Sequence, residues 1–126
     1  MKLHADKADR HAIVAYGAGW VLVNGERYTS SLLLSATEGP FPWDCACFTD
    51  LTSEQFDGLL KPLTHTPELI VLGTGSRQRW IHPALLENLM AQRIGVEIMD
   101  TSAACRTYNI LASERRHVVA ALLLGD

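Results

Sequence analysis

The chain has 126 residues, the length of one compact domain, and its 48% hydrophobic and 20% charged content allows a real core. A net charge of −3 argues against a nucleic-acid partner, because neutralising phosphates with Lys and Arg supplies most of that affinity. The longest apolar run, Val118 to Leu124, falls short of the ~20 residues a membrane-spanning helix needs, so no membrane insertion is expected.

The N-terminus, MKLHADKADRH, mixes both signs of charge with no apolar stretch behind it, unlike a secretory signal or an acid-poor transit peptide. The expectations are a flexible lead-in over residues 1–11, a single domain over 12–126 and a cytoplasmic location. Three cysteines, Cys45, Cys47 and Cys105, cannot all pair, and reduced thiols fit that compartment.

From Ala12 to Leu34 the texture is that of β structure. Asn24-Gly25 favours the positive φ angles of a tight turn, which predicts an antiparallel pair of strands near 20–23 and 26–34. EGPFPWD breaks the pattern, and a short strand near Cys45–Phe48 is expected after it. Thr52 with Gln55 forms a capping box ahead of Phe56, Leu59, Leu60 and Leu63, an amphipathic helix. Leu69–Leu72 is solidly apolar, as in a strand buried on both faces. Pro83 suits the first turn of a second helix, where its missing N–H has no helical partner to lose. Leu85, Leu86, Leu89, Met90 and Ile94 form the stripe of that helix, with Gly95 as its C-terminal cap. Val96–Met99 reads as the next strand, Asp100 or Thr101 as the cap of a helix reaching about Ser113, and HVVAALLL as a second interior strand. The fold class expected is α/β: one layered domain with a mixed central sheet, helices packed on it and an N-terminal hairpin or side sheet. The 69–99 unit is expected to be parallel and right-handed.

Three features could carry chemistry. Gly73-Thr74-Gly75 ends a strand where open α/β sheets bind ligands, with Arg77 and Arg79 nearby and Asp100 and Thr101 predicted on the same edge. However, the dinucleotide fingerprint G-x-G-x-x-G fails at Gln78, the Gly-Lys-Ser/Thr ending is missing, and the helix starts only near Pro83. A plain turn leads, with an anion or small-ligand site as the alternative. In the second feature, Cys45 and Cys47 would share one strand face, but they form no C-x-x-C, and His4, His11, His65, His82 and His117 have no metal spacing. No metal and no cofactor is expected. In the third, TSAACRTYNILASERR, Ser102, Arg106, Asn109 and Ser113 form a polar stripe, while Ala104, Tyr108 and Leu111 form an apolar one. It reads as a solvated helix face or, in the sharper form, as a recognition surface of Arg106, Tyr108 and Asn109. No nucleophile elbow or paired carboxylates are visible, and Glu26, Glu38, Asp44, Asp57 and Glu87 each read as solvated charge.

PELIVLGTG, Pro83 with its helix, and GVEIMDTSAACRTYNILASERRHVVAALL together resemble a small-domain family. That family contains mitochondrial complex I assembly factor 3, an adipogenesis-associated protein and many bacterial proteins. The resemblance spans roughly residues 12 to 124 and is sharpest from Pro67 to Leu123. It implies a mixed sheet whose last strand runs antiparallel to its neighbours, and members without demonstrated enzyme activity. Gly73, Thr74, Gly75, Thr107, Asn109 and Ala121 match its motif positions, none of them an established catalytic residue there. The complex I role implies a mitochondrial address, which this N-terminus does not resemble. Two functions follow. The first is a non-enzymatic interaction or assembly domain with a protein partner. The alternative is a small-molecule or anion-binding protein, conceivably an enzyme, using Gly73–Arg77 and Asp100–Thr101.

Overall fold

The computed structural model describes residues 10–126. A three-stranded antiparallel sheet is built from β1 (Ile13–Gly17), β2 (Trp20–Val23) and β3 (Glu26–Tyr28), in that order. Its second turn is the Asn24-Gly25 pair, both residues at positive φ, as the sequence demands. The second sheet has five strands, β4 (Leu32–Leu34), β5 (Phe41–Pro42), β6 (Leu69–Gly73), β7 (Gly95–Met99) and β8 (Val118–Leu122), in the order β5-β4-β8-β6-β7.

β6 pairs in parallel with both β7 and β8, while β8 meets β4 antiparallel. The last strand is therefore antiparallel to one neighbour only, which corrects the implied arrangement. Strands β6 and β8 are interior, and β8 is buried along its whole length. Alternate side chains explain this. Val71, Val118, Ala120 and Leu122 join one core cluster; Ile70, Leu72, Val119, Ala121 and Leu123 join the other. Successive strand residues point to opposite faces, so both faces are covered.

One face is covered by α1 (Ser53–Gly58) and α2 (Glu87–Ala91), the latter entered through a 3₁₀ turn at Pro83–Leu86. The other carries α3 (Thr101–Ser113) and the small sheet. The capping box is formed: the Thr52 hydroxyl accepts from the Glu54 N–H, and the Gln55 side chain accepts from the Thr52 N–H at 2.9 Å. Asp100 caps α3, its carboxylate accepting from the Ala103 N–H at 2.9 Å.

Several expectations are corrected. The stretch 26–34 is two strands in two sheets, divided at Thr29–Ser31. There the Ser31 hydroxyl accepts from the Leu124 N–H at 3.1 Å, and the Ser31 carbonyl accepts from the Trp43 N–H at 2.9 Å. No strand forms near Cys45–Phe48; the short strand lies earlier, at Phe41–Pro42, and Phe48–Asp50 is a 3₁₀ turn. The left-handed residue after α2 is Arg93, at φ 61°, rather than Gly95, which opens β7. Met90, although it lies within α2, is exposed, whereas Ile94 beyond the end of the helix is buried. Glu38 is not a solvated charge: its carboxylate is largely buried and accepts from the Thr64 N–H at 2.6 Å. That hydrogen bond holds its pKa below the usual carboxylate value. Of the flexible lead-in, residues 1–9 lie outside the described residues. Arg10 and His11 are tied down, by a bond from the Arg10 guanidinium to the Ala112 carbonyl at 3.2 Å and by one from the His11 N–H to the Ala36 carbonyl at 2.8 Å.

Candidate functional site

The parallel strands β6, β7 and β8 end together, and Gly73-Thr74-Gly75 is where β6 leaves them. Gly73 lies beside Met99 on one side and Leu122 on the other. A Cβ built on Gly73 would stand 2.8 Å from the Thr101 Cα and from its hydroxyl, and 3.2 Å from the Ala104 Cβ. Glycine is required because the first turn of α3 rests directly on the end of β6. Gly75 is needed for a second reason: its φ of +103° is a conformation that side chains strongly disfavour.

The backbone N–H groups of Thr74, Gly75 and Ser76 are all engaged within the protein. The Thr74 N–H donates to the Met99 carbonyl at 2.9 Å, and the Ser76 N–H to the Asp126 carboxylate at 3.0 Å. The Gly75 N–H donates to the Thr101 hydroxyl at 2.9 Å, which itself donates to the Leu123 carbonyl at 2.8 Å. The Thr101 N–H returns to the Gly75 carbonyl at 2.9 Å, and the Leu123 N–H to that of Gly73 at 3.0 Å. Thr74 is buried, and its hydroxyl faces the carbonyls of Arg77 (2.7 Å) and Met99 (3.1 Å). Its one proton is shared between them. The turn thus ties the ends of β6, β7 and β8 to the start of α3. Beside it lies an open cleft of about 280 Å³ between Gly17–Gly19, Gly75, Thr101, Ser102 and Asp126.

Arg77 is exposed. Arg79 lies half-buried with its guanidinium 5.0 Å from the centre of the Phe48 ring, a cation–π stack. The Asp126 carboxyl is held below its usual pKa, first by the Ser76 hydrogen bonds and then by Arg79 and Arg77. The structure therefore brings Gly73, Thr74, Gly75, Asp100 and Thr101 to one junction, with Arg77 at its rim.

Arg106, Tyr108 and Asn109 serve another place. Tyr108 is fully buried, which removes it from any recognition surface, and its hydroxyl donates to the His11 carbonyl at 2.7 Å. Burial pushes its pKa up. The Asn109 amide pairs with the backbone of Ile13 in both directions, accepting from the N–H at 3.0 Å and donating to the carbonyl at 2.7 Å. It replaces a neighbouring strand at the outer edge of β1. Arg106 donates to the Tyr16 hydroxyl at 3.0 Å.

The cysteines are free. They do not share a strand face: Cys45 is buried, while Cys47 sits half-buried on a turn. Burial raises the Cys45 thiol to about 11 and the Cys105 thiol to about 12. Among the described residues no group of three or more His, Cys, Asp or Glu side chains converges as a metal would need. No helix among them is long and apolar enough to cross a membrane.

Trp80, which is 74% exposed, and Asp126, whose carboxylate closes the turn, belong to no motif in the sequence. A tryptophan within the polar run SRQRWIH was the available signal for the first.

These features define a layered α/β domain whose mixed sheet is closed at its C-terminal edge by a glycine turn. A crystal structure of a Bordetella parapertussis protein has the same fold: TM-score 0.84, 36% identity, covering 90% of this chain and 95% of that one. The chain belongs to the family described as a protein of unknown function (DUF498/DUF598), whose model matches residues 13–123. A Xenopus tropicalis relative named NADH dehydrogenase [ubiquinone] 1 alpha subcomplex assembly factor 3 is 30% identical over 122 residues, 97% of this chain and 66% of that protein. Against such assembly factors the chain spans 46% to 66% of the relative's length in the Danio rerio and Xenopus examples. A Francisella tularensis relative named 13 kDa major membrane protein is 31% identical over 82% of each chain.

Proposed function

We propose that this chain is a non-enzymatic interaction domain of the assembly-factor type, acting through a protein partner. The observation that carries this reading is the closed hydrogen bonding of the Gly73–Gly75 turn. The N–H groups that would cradle an anion already serve Met99, Thr101 and Asp126, so a ligand there would have to displace hydrogen bonds that the turn already makes. The name borne by the vertebrate relatives supports a partner that is a protein. In this reading the domain works in the cytoplasm, a compartment that suits three free thiols. Cell fractionation tests this against the membrane location in the Francisella relative's name.

The test is capture on the tagged full chain from native lysate, followed by native mass spectrometry of the eluted species. A heteromeric complex of fixed stoichiometry is expected. A monomer carrying a small molecule, with no protein partner, would contradict the proposal.

A further inference from the structure

Trp80 is the most exposed large hydrophobic residue among those described, at 74%. It sits in the loop between β6 and the Pro83 turn, and its neighbours explain why it stays outside. Ile81, next along the chain, is buried in the core cluster of α1 and α2, and Arg79, just before, is half-buried against Phe48. Further out, the Arg77 carbonyl accepts from the buried Thr74 hydroxyl at 2.7 Å, and the His82 ring accepts from the Ala84 N–H at 3.1 Å. The His82 ring meets the indole edge-on, with centres 5.5 Å apart. The loop is anchored on both sides of Trp80, so the indole is held toward solvent without the ordering cost that a free loop would bear on binding.

The surrounding charge identifies what such an indole meets. Arg77 and Arg79 flank it, and among the described residues neither forms an ion pair within 4.0 Å, although the chain carries a net charge of −3. The acid they influence is Asp126, which lies beyond ion-pair distance of both and accepts from the Ser76 N–H through one carboxylate oxygen. The Arg79 Nε is buried without a hydrogen-bond partner. Tryptophan and arginine are the side chains most enriched where interfaces concentrate their binding energy, and the guanidinium fork matches a carboxylate.

We propose that the loop from Ser76 to His82 is the docking surface of this domain, and that its partner is an acidic protein segment. That segment offers apolar side chains to the Trp80 indole and carboxylates to Arg77 and Arg79. The proposal rests on the interaction reading above and names the surface and partner chemistry for it.

The test uses the biotinylated full chain to select from a phage-displayed library of random dodecapeptides, with the consensus peptide then synthesised and titrated. Selected sequences should pair Asp or Glu with aromatic or aliphatic residues. Trp80→Ala should weaken the consensus peptide by at least about 30-fold, the loss typical of an interface hot spot, and Arg77→Glu should weaken it as well. Ile110→Ser, altering an exposed residue of α3 outside the loop, should leave binding unchanged. Melting temperatures of the loop variants should match the wild type, because Trp80 and Arg77 are exposed. Sequences without acids, or binding indifferent to Trp80→Ala and Arg77→Glu, would overturn the proposal. Co-sedimentation with phosphatidylcholine vesicles containing phosphatidylglycerol, abolished by Trp80→Ala while no acidic peptide is selected, would also overturn it, in favour of a lipid surface. If the heteromeric complex captured from lysate survives both loop substitutions, the surface is wrong while the interaction reading stands. If no protein partner is captured at all, it is the interaction reading that fails.

Discussion

Thr101→Val is the sharpest single perturbation of the junction, because it removes one oxygen and little else. Valine keeps the branched shape and the first position of α3, but it cannot accept from the Gly75 N–H or donate to the Leu123 carbonyl, bonds of 2.9 and 2.8 Å. Both orphaned groups lie in a part-buried environment, and each buried group left unpaired costs about 1–3 kcal/mol. The expected loss is therefore ~2–6 kcal/mol. For a chain of this size a loss of about 3 kcal/mol lowers the melting temperature by roughly 10 °C. Urea unfolding in phosphate-free buffer measures it, and the midpoint should fall with an unchanged m-value. Thr101→Ser, which restores the hydroxyl, should recover most of the loss. If Thr101→Val stays within about 0.5 kcal/mol of wild type, as at an uninvolved surface site, then the turn is not closed by this hydroxyl.

Asn109→Ala removes both hydrogen bonds to Ile13 and should cost ~2 kcal/mol in the same assay; raised amide exchange at Ile13 would localise the effect to β1. With Cys45 and Cys105 buried and their thiols raised to about 11 and 12, only Cys47 should react quickly with an aromatic disulfide reagent near pH 8, and all three after unfolding. Rapid reaction of three thiols in the native protein would contradict the burial. Glu38 has a lowered folded pKa, so its contribution is present above its ordinary value near 4.5 and is lost as pH falls through the lower folded value. Glu38→Gln should then reduce stability at neutral pH and flatten its decline in acid, read from urea midpoints across that range.

Much of the fold was legible because its signals are local. The Thr52–Gln55 box, Pro83 at a helix start and the Asp100 cap each depend on a few neighbouring residues, and all three formed. The unbroken apolar runs of β6 and β8 marked them as interior, since no polar alternation was left for a solvated face. The division of 26–34 was not legible: no proline or glycine marks Thr29–Ser31, and the partners of Ser31 lie at Trp43 and Leu124, far along the chain. For the same reason Asn109 read as part of a solvated stripe and, with Arg106 and Tyr108, as a recognition surface. The work of Tyr108 and Asn109 is to hold His11 and Ile13, nearly one hundred residues earlier, and helical periodicity carries no information about such a contact. At the glycine turn the spacing argument was legible, since the delayed helix start spoke for a turn. The requirement at Gly73 came only with the structure, because it is set by the approach of Thr101 and Ala104 across the sheet edge.

The claim at the centre of this account is that Gly73-Thr74-Gly75 joins three strands and a helix rather than holding an anion. The most direct test is the melting temperature of the full chain titrated with inorganic phosphate and with nucleoside triphosphates. A ligand at 100 times its dissociation constant adds about 2.7 kcal/mol, which for this chain is a shift of roughly 10 °C. The account predicts no shift. A shift of several degrees that Arg77→Ala abolishes would contradict it and establish the turn as a binding site.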